Sequence, residues 1–195
     1  MATIKRIKPK ENGTTKVIFL CRLSYCHLDA PWSGTPGNEP KYSVSCIIPK
    51  DDVETVAAVK AAIARAYEEG VTKVWKGARP PMQSSNFKYP LKDGDLDRPD
   101  DEAYRGAFFL SASSKTEVPV LNRLKEPIKP TDAYSGCWAL VSVNFFAFKQ
   151  GVCGVGGGLN AVLKYADDEK LGGIGNAAAD FNEFDLGEDV GLDNL

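Results

Sequence analysis

A chain of 195 residues, 43% apolar and 26% charged, has material for one ordinary domain with its own core, which excludes a wholly disordered protein. No run approaches the ~20 apolar residues of a membrane-spanning helix, and no apolar segment follows the basic N-terminal stretch, so a cytoplasmic protein without a secretory leader is expected. The net charge of −2 conceals a division: residues 1–179 carry 24 basic and 20 acidic side chains, whereas residues 180–195 carry six acidic and none basic.

Residues 1–15 read as a basic arm, with Lys5, Arg6, Lys8 and Lys10 against Glu11 alone. Residues 16–25 are rich in β-branched and aromatic side chains and predict a strand. A loop of prolines and glycines spans 29–40. Over 41–48, Tyr42, Val44, Cys46 and Ile48 alternate with Lys41, Ser43 and Ser45, the pattern of a half-buried strand. The spacing then predicts a helix from Asp51 to Glu69. Asp51 would cap it with Glu54 at the third position, Val53, Val56, Ile63 and Tyr67 would form its core stripe, and Gly70 would stop it.

Residues 71–103 are irregular and rich in Pro, Gly and charge. Residues 104–113 predict a third strand, 118–121 a short one, and 136–149 the longest. The glycines of 151–158 read as a flexible hairpin turn. Residues 159–165 are a strand or a helix, which their period does not decide. The elements predict a mainly β protein with one principal helix. A five-stranded Greek-key barrel of the OB type fits residues 16–171, followed by a flexible acidic tail at 172–195.

Familiar catalytic and metal-binding patterns fail on their spacing. Five cysteines, an odd number, fit free thiols better than a disulfide frame. Cys21, Cys26 and the single His27 match no zinc spacing. The 151–158 glycines lack the lysine of a phosphate loop, since Leu159 follows them. Asp93-Gly-Asp-Leu-Asp97 resembles the start of a calcium loop, but Arg98 stands where its glycine belongs. With one histidine and no nucleophile–base pair in view, no enzyme, no cofactor and no metal are expected.

The strand faces carry more information. Cys137, Ala139, Val141, Val143, Phe145 and Ala147 are uniformly apolar and belong inside. Trp138, Leu140, Ser142, Asn144, Phe146 and Phe148 mix polar and aromatic groups and face outward. In 105–113, Phe108, Leu110 and Ala112 point in, while Arg105, Phe109, Ser111 and Ser113 point out. Residues 73–92 interleave Lys73, Trp75, Lys76, Arg79, Phe87, Lys88, Tyr89 and Lys92. Rings beside cations suit a groove that stacks bases and neutralises phosphates. The candidate stacking residues are Tyr89, Phe109, Phe146 and Phe148. The candidate phosphate contacts are Arg22, Lys41, Lys88, Arg105, Lys115 and Lys149. Two alternatives stand beside this reading: residues 71–103 cover the face as ordinary core, or the aromatics form a protein-interaction surface.

An ordered set of blocks adds a resemblance. Tyr42 to Asp52, Pro90-Leu-Lys-Asp-Gly-Asp95, Tyr104-Arg-Gly106, Ser111-Ala-Ser-Ser114, Asn144-Phe-Phe-Ala-Phe-Lys-Gln-Gly151, Gly156-Gly-Gly-Leu-Asn-Ala-Val162 and Leu171-Gly-Gly173 resemble a family of phage single-stranded DNA-binding proteins similar to the T7 type. The resemblance covers about residues 15–184. It implies an OB-fold that coats single strands during replication, recombination or repair, without catalysis, in the cytoplasm of an infected bacterium. It also implies an acidic tail that contacts replication partners, although this chain ends in Asp193-Asn-Leu195 where T7-type tails end in Phe. The tail residues Asp180, Phe181, Glu183, Phe184, Asp185, Glu188, Asp189 and Asp193 would compete with DNA for the groove or dock a partner. A tail that serves solubility alone has the same composition.

Overall fold

The computed structural model describes residues 4–172. Val17, Phe19, Cys21 and Leu23 each expose 0% of their surface, and the residues between them point to the opposite face, as a two-residue period requires. They belong to β2 (Lys16–Trp32), which follows a short β1 (Lys10–Glu11) and precedes β3 (Lys41–Pro49) and the helix α1 (Val53–Lys73). Then come β4 (Phe87–Lys88), β5 (Lys92–Asp93), a single turn α2 (Gly94–Asp97), β6 (Ala107–Ser114), β7 (Val120–Leu121), β8 (Trp138–Gln150) and β9 (Val152–Ala166).

Five of these strands close on themselves. β2 pairs with β3 and β8, β3 pairs with β6, and β8 pairs with β9, all antiparallel. A parallel contact of Ala112 with Gly157 and Ser113 with Gly158 joins β6 to β9 and completes the ring. The order β2-β3-β6-β9-β8 is that of an OB barrel, mainly β, as expected from the sequence. Cys137, Ala139, Val141, Val143 and Phe145 fill its interior, in the inward register read from their alternation.

The glycine-rich segment differs from expectation. Only Gly151 forms the turn, with φ of +72°, a left-handed conformation that glycine adopts without a Cβ clash. From Val152 onward the glycines belong to β9, paired residue by residue with β8. The same pairing makes 159–165 a strand: Val162 lies opposite Val141 and Leu163 opposite Leu140.

Helix α1 starts one residue later than its capping pattern suggests. Asp52 is the cap, its Oδ1 accepting from the Thr55 N–H at 3.2 Å. Asp51 instead pairs with Arg6, whose guanidinium also donates to the Asp51 carbonyl. Lys8 reaches Glu54, and Arg65 reaches Glu11 and the Thr14 carbonyl. With β1 hydrogen-bonded to β2, the N-terminal stretch lies against the body, and two of its cations, Arg6 and Lys8, pair with acids at the start of the helix. A cap contributes about 1 kcal/mol. Burial of Val59, Ile63 and their neighbours on the barrel contributes about 1.5–3 kcal/mol for each large side chain, so packing, not capping, holds the helix. Val53, expected on the core stripe, is 69% exposed because it occupies the first helical position, off the barrel.

Trp75 and Phe87, read from sequence as groove aromatics, are core residues. They pack with Tyr67 at ring separations of 5.1 to 5.9 Å beyond the end of α1. All five cysteines are free thiols. Burial pushes Cys26 up to about 12 and Cys137 up to about 11, which keeps both protonated and unreactive at neutral pH.

Gly70 does not stop the helix, which continues to Lys73. It is there because a Cβ at this position would overlap the Ala147 side chain and come within 3.0 Å of the Trp75 ring. Gly70→Ala should therefore destabilise the protein. The ~1 kcal/mol that alanine gains in a helix is smaller than the ~1–3 kcal/mol cost of overpacking a dense contact. Thermal denaturation should show a lowered midpoint; a raised one would mean that helix and barrel separate easily here.

Candidate nucleic-acid interface

The outward residues of β8 face glycines across the sheet. Phe148 lies opposite Gly154, Phe146 opposite Gly156 and Asn144 opposite Gly158. Each side chain lies over the missing one of its partner: a Cβ on Gly156 would stand 2.9 Å from Phe146 Cζ, and one on Gly154 would stand 2.7 Å from Phe148 Cζ. Phe146 remains 47% exposed. Phe148 is half-buried, and the Trp75 indole N–H donates to its backbone carbonyl at 3.1 Å, which ties the segment just beyond α1 to the β8 backbone here.

Beside Phe148 runs a groove. Gly156 and Gly157 of β9 and Phe109 and Ser111 of β6 form its floor, and Lys88, Tyr89, Pro90, Lys92 and Arg98 form its far side. β4 and β5 position that wall, since Lys88 pairs with Gly154 and Lys92 with Phe109. Tyr89 is half-buried against the core, and burial raises its phenol above the ordinary tyrosine value. Asp97 is the one acidic side chain that lines the groove among the described residues.

Arg98 is the best-held cation in it. Its guanidinium carbon lies 4.8 Å from the Tyr25 ring centre, 4.7 Å from that of Tyr104 and 5.3 Å from that of Phe109. Its Nη1 donates to the Tyr25 hydroxyl at 2.9 Å. Cation–π contacts of this kind contribute about 0.5–2 kcal/mol each, and they fix the direction of a side chain that is otherwise flexible. Sequence reasoning passed over Arg98 as a mismatch in a calcium-like turn. No periodic signal marks an arginine in an irregular segment.

The other predicted residues divide. Tyr89, Lys88 and Phe148 meet in the groove, with Phe146 at its rim over Gly156. Phe109 lies on the outward face as read, but it is only 5% exposed, because Tyr104 packs edge-on against it at 4.9 Å and Arg98 lies over it. It is a floor, not a free stacking ring. Arg22 is a correction: it is 8% exposed and cannot reach a phosphate. Its Nε donates to the Gly136 carbonyl at 3.0 Å and its Nη2 to the Glu169 carbonyl at 2.8 Å. Asp168 stands 4.0 Å away and accepts from the Trp138 indole at 2.9 Å; that hydrogen bond, with Arg22 nearby, holds its carboxyl below the usual range. Arg22 thus anchors the last described residues to the barrel.

Arg105 is exposed beside Glu102 at 3.5 Å, outside the groove. Lys149 continues the inward register past the end of the barrel, on the strand face opposite Phe148. Lys41 and Lys115 line a neighbouring pocket that shares Lys88 with the groove. Lys73 and Arg79 are paired with Glu69 and Glu68. The expected tail residues, Asp180 to Asp193, lie outside the described residues. Leu171 packs beside Tyr104 and Phe109, and Gly172 lines a cleft with Tyr25. Among the described residues no three His, Cys, Asp or Glu side chains are grouped to share a metal, and no helix is long and apolar enough to cross a membrane.

A family model described as the single-stranded DNA-binding protein of Enterobacter phage Enc34 matches residues 14–191. The chain belongs to this family. A solved structure of the Enc34 single-stranded DNA-binding protein in complex with single-stranded DNA is 30% identical to it, covers 81% of this chain and 90% of its own, and superposes with a TM-score of 0.70. Putative protein p50 of Acyrthosiphon pisum secondary endosymbiont phage 1 is 28% identical over 179 residues, which cover 88% of this chain and 94% of that protein. The single-stranded DNA-binding protein gp2.5 of bacteriophage T7 shares the fold, with a TM-score of 0.56 at 16% identity over 90% of this chain and 100% of its own.

The glycines beneath the two rings should respond differently to a methyl group. In Gly156→Ala the three nearest atoms to the new Cβ all belong to the ring of the exposed Phe146, which can swing away, so stability should stay within about 0.5 kcal/mol. In Gly154→Ala it also meets the Lys88 backbone carbonyl at 2.9 Å, which cannot, so about 1–3 kcal/mol should be lost. Urea unfolding of the two variants measures the contrast. Equal midpoints would show that β4 yields as readily as a free ring.

Proposed function

We propose that this protein binds single-stranded DNA with little regard to sequence, by stacking and charge neutralisation, and acts by binding, not catalysis. The observation that carries the proposal is the placement of Phe146 and Phe148 over the glycines of β9, with Phe148 lining the same groove as Arg98, Lys88 and Lys92. Every base presents a π-face to such rings, so stacking tolerates any sequence. Few groove side chains offer the fixed donor and acceptor pairs that read base edges. Membership of a family whose Enc34 member is described in complex with single-stranded DNA supports the same ligand. Tyr89, Phe146 and Phe148 stack bases, and Lys88, Lys92 and Arg98 meet phosphates. The physiological setting that fits is protection of single strands during phage DNA replication, recombination or repair, in the cytoplasm of the infected bacterium.

The acidic tail completes the proposal as a regulator of the same groove. Residues 180–195 are purely acidic in their charge, and Gly172 lies in a cleft with Tyr25, the hydrogen-bond partner of Arg98. Seven residues lie between Gly172 and Asp180, and the eight steps of chain reach at most about 29 Å. A tethered polyanion within that reach competes with phosphates for the cations.

Fluorescent oligo-dT titrations test both parts. Phe146→Ala and Phe148→Ala should each weaken binding by ~1–3 kcal/mol, with Phe146→Ala leaving the melting temperature unchanged. Affinity should fall log-linearly with salt, at about −0.7 per phosphate neutralised, and Arg98→Gln or Lys88→Gln should each make that slope shallower. A salt-insensitive complex, or unchanged affinity in both phenylalanine variants, would favour a protein ligand for this surface. Deleting residues 180–195 should tighten oligo-dT binding, most at low salt where screening is weak; equal affinities there would exclude competition by the tail.

A further inference from the structure

We infer that the hairpin arm formed by the far ends of β2 and β3 carries a second single-strand station, in which Trp32 stacks a base and Lys41 and Lys115 hold the adjoining phosphate; this rests on the reading of the groove as a single-strand site. β2 runs well past the barrel, and Trp32 pairs with Lys41 near the tip of the arm. Trp32 is 55% exposed. The other two tryptophans are used by the fold: Trp75 is core, and Trp138 gives its indole N–H to Asp168. The Gly34 backbone lies against the outer edge of the Trp32 ring, where a Cβ would come within 2.8 Å of Cη2 and Cζ3. The Trp32 ring is also held by the His27 ring, stacked on it at a centroid distance of 4.7 Å and an interplanar angle of 7°. A large aromatic group held between His27 and Gly34 and still more than half exposed is a platform whose open surface can take a base.

The pocket it lines is cationic and polar, with Lys41, Lys88, Lys115, Ser43 and Ser113 around it. It is continuous with the first groove. Lys88 lines both, and Ser111 of the groove and Ser113 of the pocket are successive outward residues of β6, about 7 Å apart. One side chain stands where a phosphate would. The Glu39 carboxylate meets Lys115 Nζ at 2.7 Å, and Lys115, with Lys41 behind it, holds that carboxyl below its ordinary value. Both partners are exposed, so the ion pair adds little to stability and an incoming phosphate can displace it. Duplex bases are already stacked on one another, so the occupant that fits Trp32 is an unpaired strand leaving the first groove.

The test compares oligo-dT of roughly five and roughly sixteen nucleotides, within the range of site sizes seen for OB folds, on the full chain. Trp32→Ala should weaken the longer oligomer about 5- to 100-fold and leave the shorter one, which the groove can hold alone, unchanged. Saturation with the longer oligomer should quench intrinsic fluorescence, and Trp32→Phe should remove that quenching while retaining most of the affinity. Glu39→Gln should tighten the longer oligomer and steepen its salt slope by about 0.7, as one more cation becomes free to replace counterions. The inference is overturned if Trp32→Ala binds both lengths as the parent does while Phe148→Ala is impaired; the groove reading would survive that result. Failure of the parent chain to bind either oligomer overturns both. An effect of Trp32→Ala equal at the two lengths also overturns it, since the arm would then belong to the first groove.

Discussion

The glycines of β9 are the constraint on which the barrel and its aromatic strip both depend. A glycine-rich strand is intrinsically weak, having little to pack and much chain entropy to lose. Here four neighbours hold it, β8, β6, β4 and β7. At Gly157 a Cβ would come 3.0 Å from the Ser111 carbonyl, so the ring closes there because no side chain intervenes. At Gly154 and Gly156 the same bareness makes beds for Phe148 and Phe146. A larger residue at either place would lift a ring off the sheet. Closure of the fold and room for the aromatic strip are thus one requirement met by one run of residues.

Charge is arranged by a second rule. Many surface cations already have acidic partners: Arg6 with Asp51, Arg65 with Glu11, Arg79 with Glu68. Such exposed pairs contribute about 0–1 kcal/mol, but they remove local fields that would otherwise attract an anion anywhere. Lys88, Lys92 and Arg98, by contrast, converge on one groove. Arg98 is held by aromatic rings, which fix its position without neutralising it. The mildly basic body therefore presents its effective charge where the rings are, although the whole chain is net acidic.

Much of this was legible in the residues. The alternation of Cys137 to Phe145 set the inward face of β8 correctly, and that of 41–48 did the same for β3, because a two-residue period is dictated by strand geometry alone. What alternation cannot show is which outward residues other segments cover. Arg22 and Phe109 both face outward, yet residues 136 and 168–169 engage one while Tyr104 covers the other. Both are contacts between residues remote in sequence or on an irregular turn, invisible to a local pattern. That Trp75 and Phe87 lie in the core and not in the groove is hidden for a related reason: an irregular segment has no period from which burial can be read. The glycines of β9 did carry a usable signal. Phe148 and Gly154, Phe146 and Gly156, and Asn144 and Gly158 are equally spaced about Gly151, the symmetry of a tight hairpin in which each large residue faces a bare one.

The bond from the Trp75 indole to the Phe148 carbonyl has a thermodynamic meaning for recognition. It joins the β8 backbone at Phe148 to the core residue Trp75 just beyond α1, so that this part of the aromatic strip is held from the helix side as well as by its strand neighbours. Binding surfaces that order on contact surrender conformational entropy at that moment. At Phe148, whose backbone is held in this way, part of that ordering is completed during folding, and more of the ordering cost of association falls on the ligand, the flexible partner of the two.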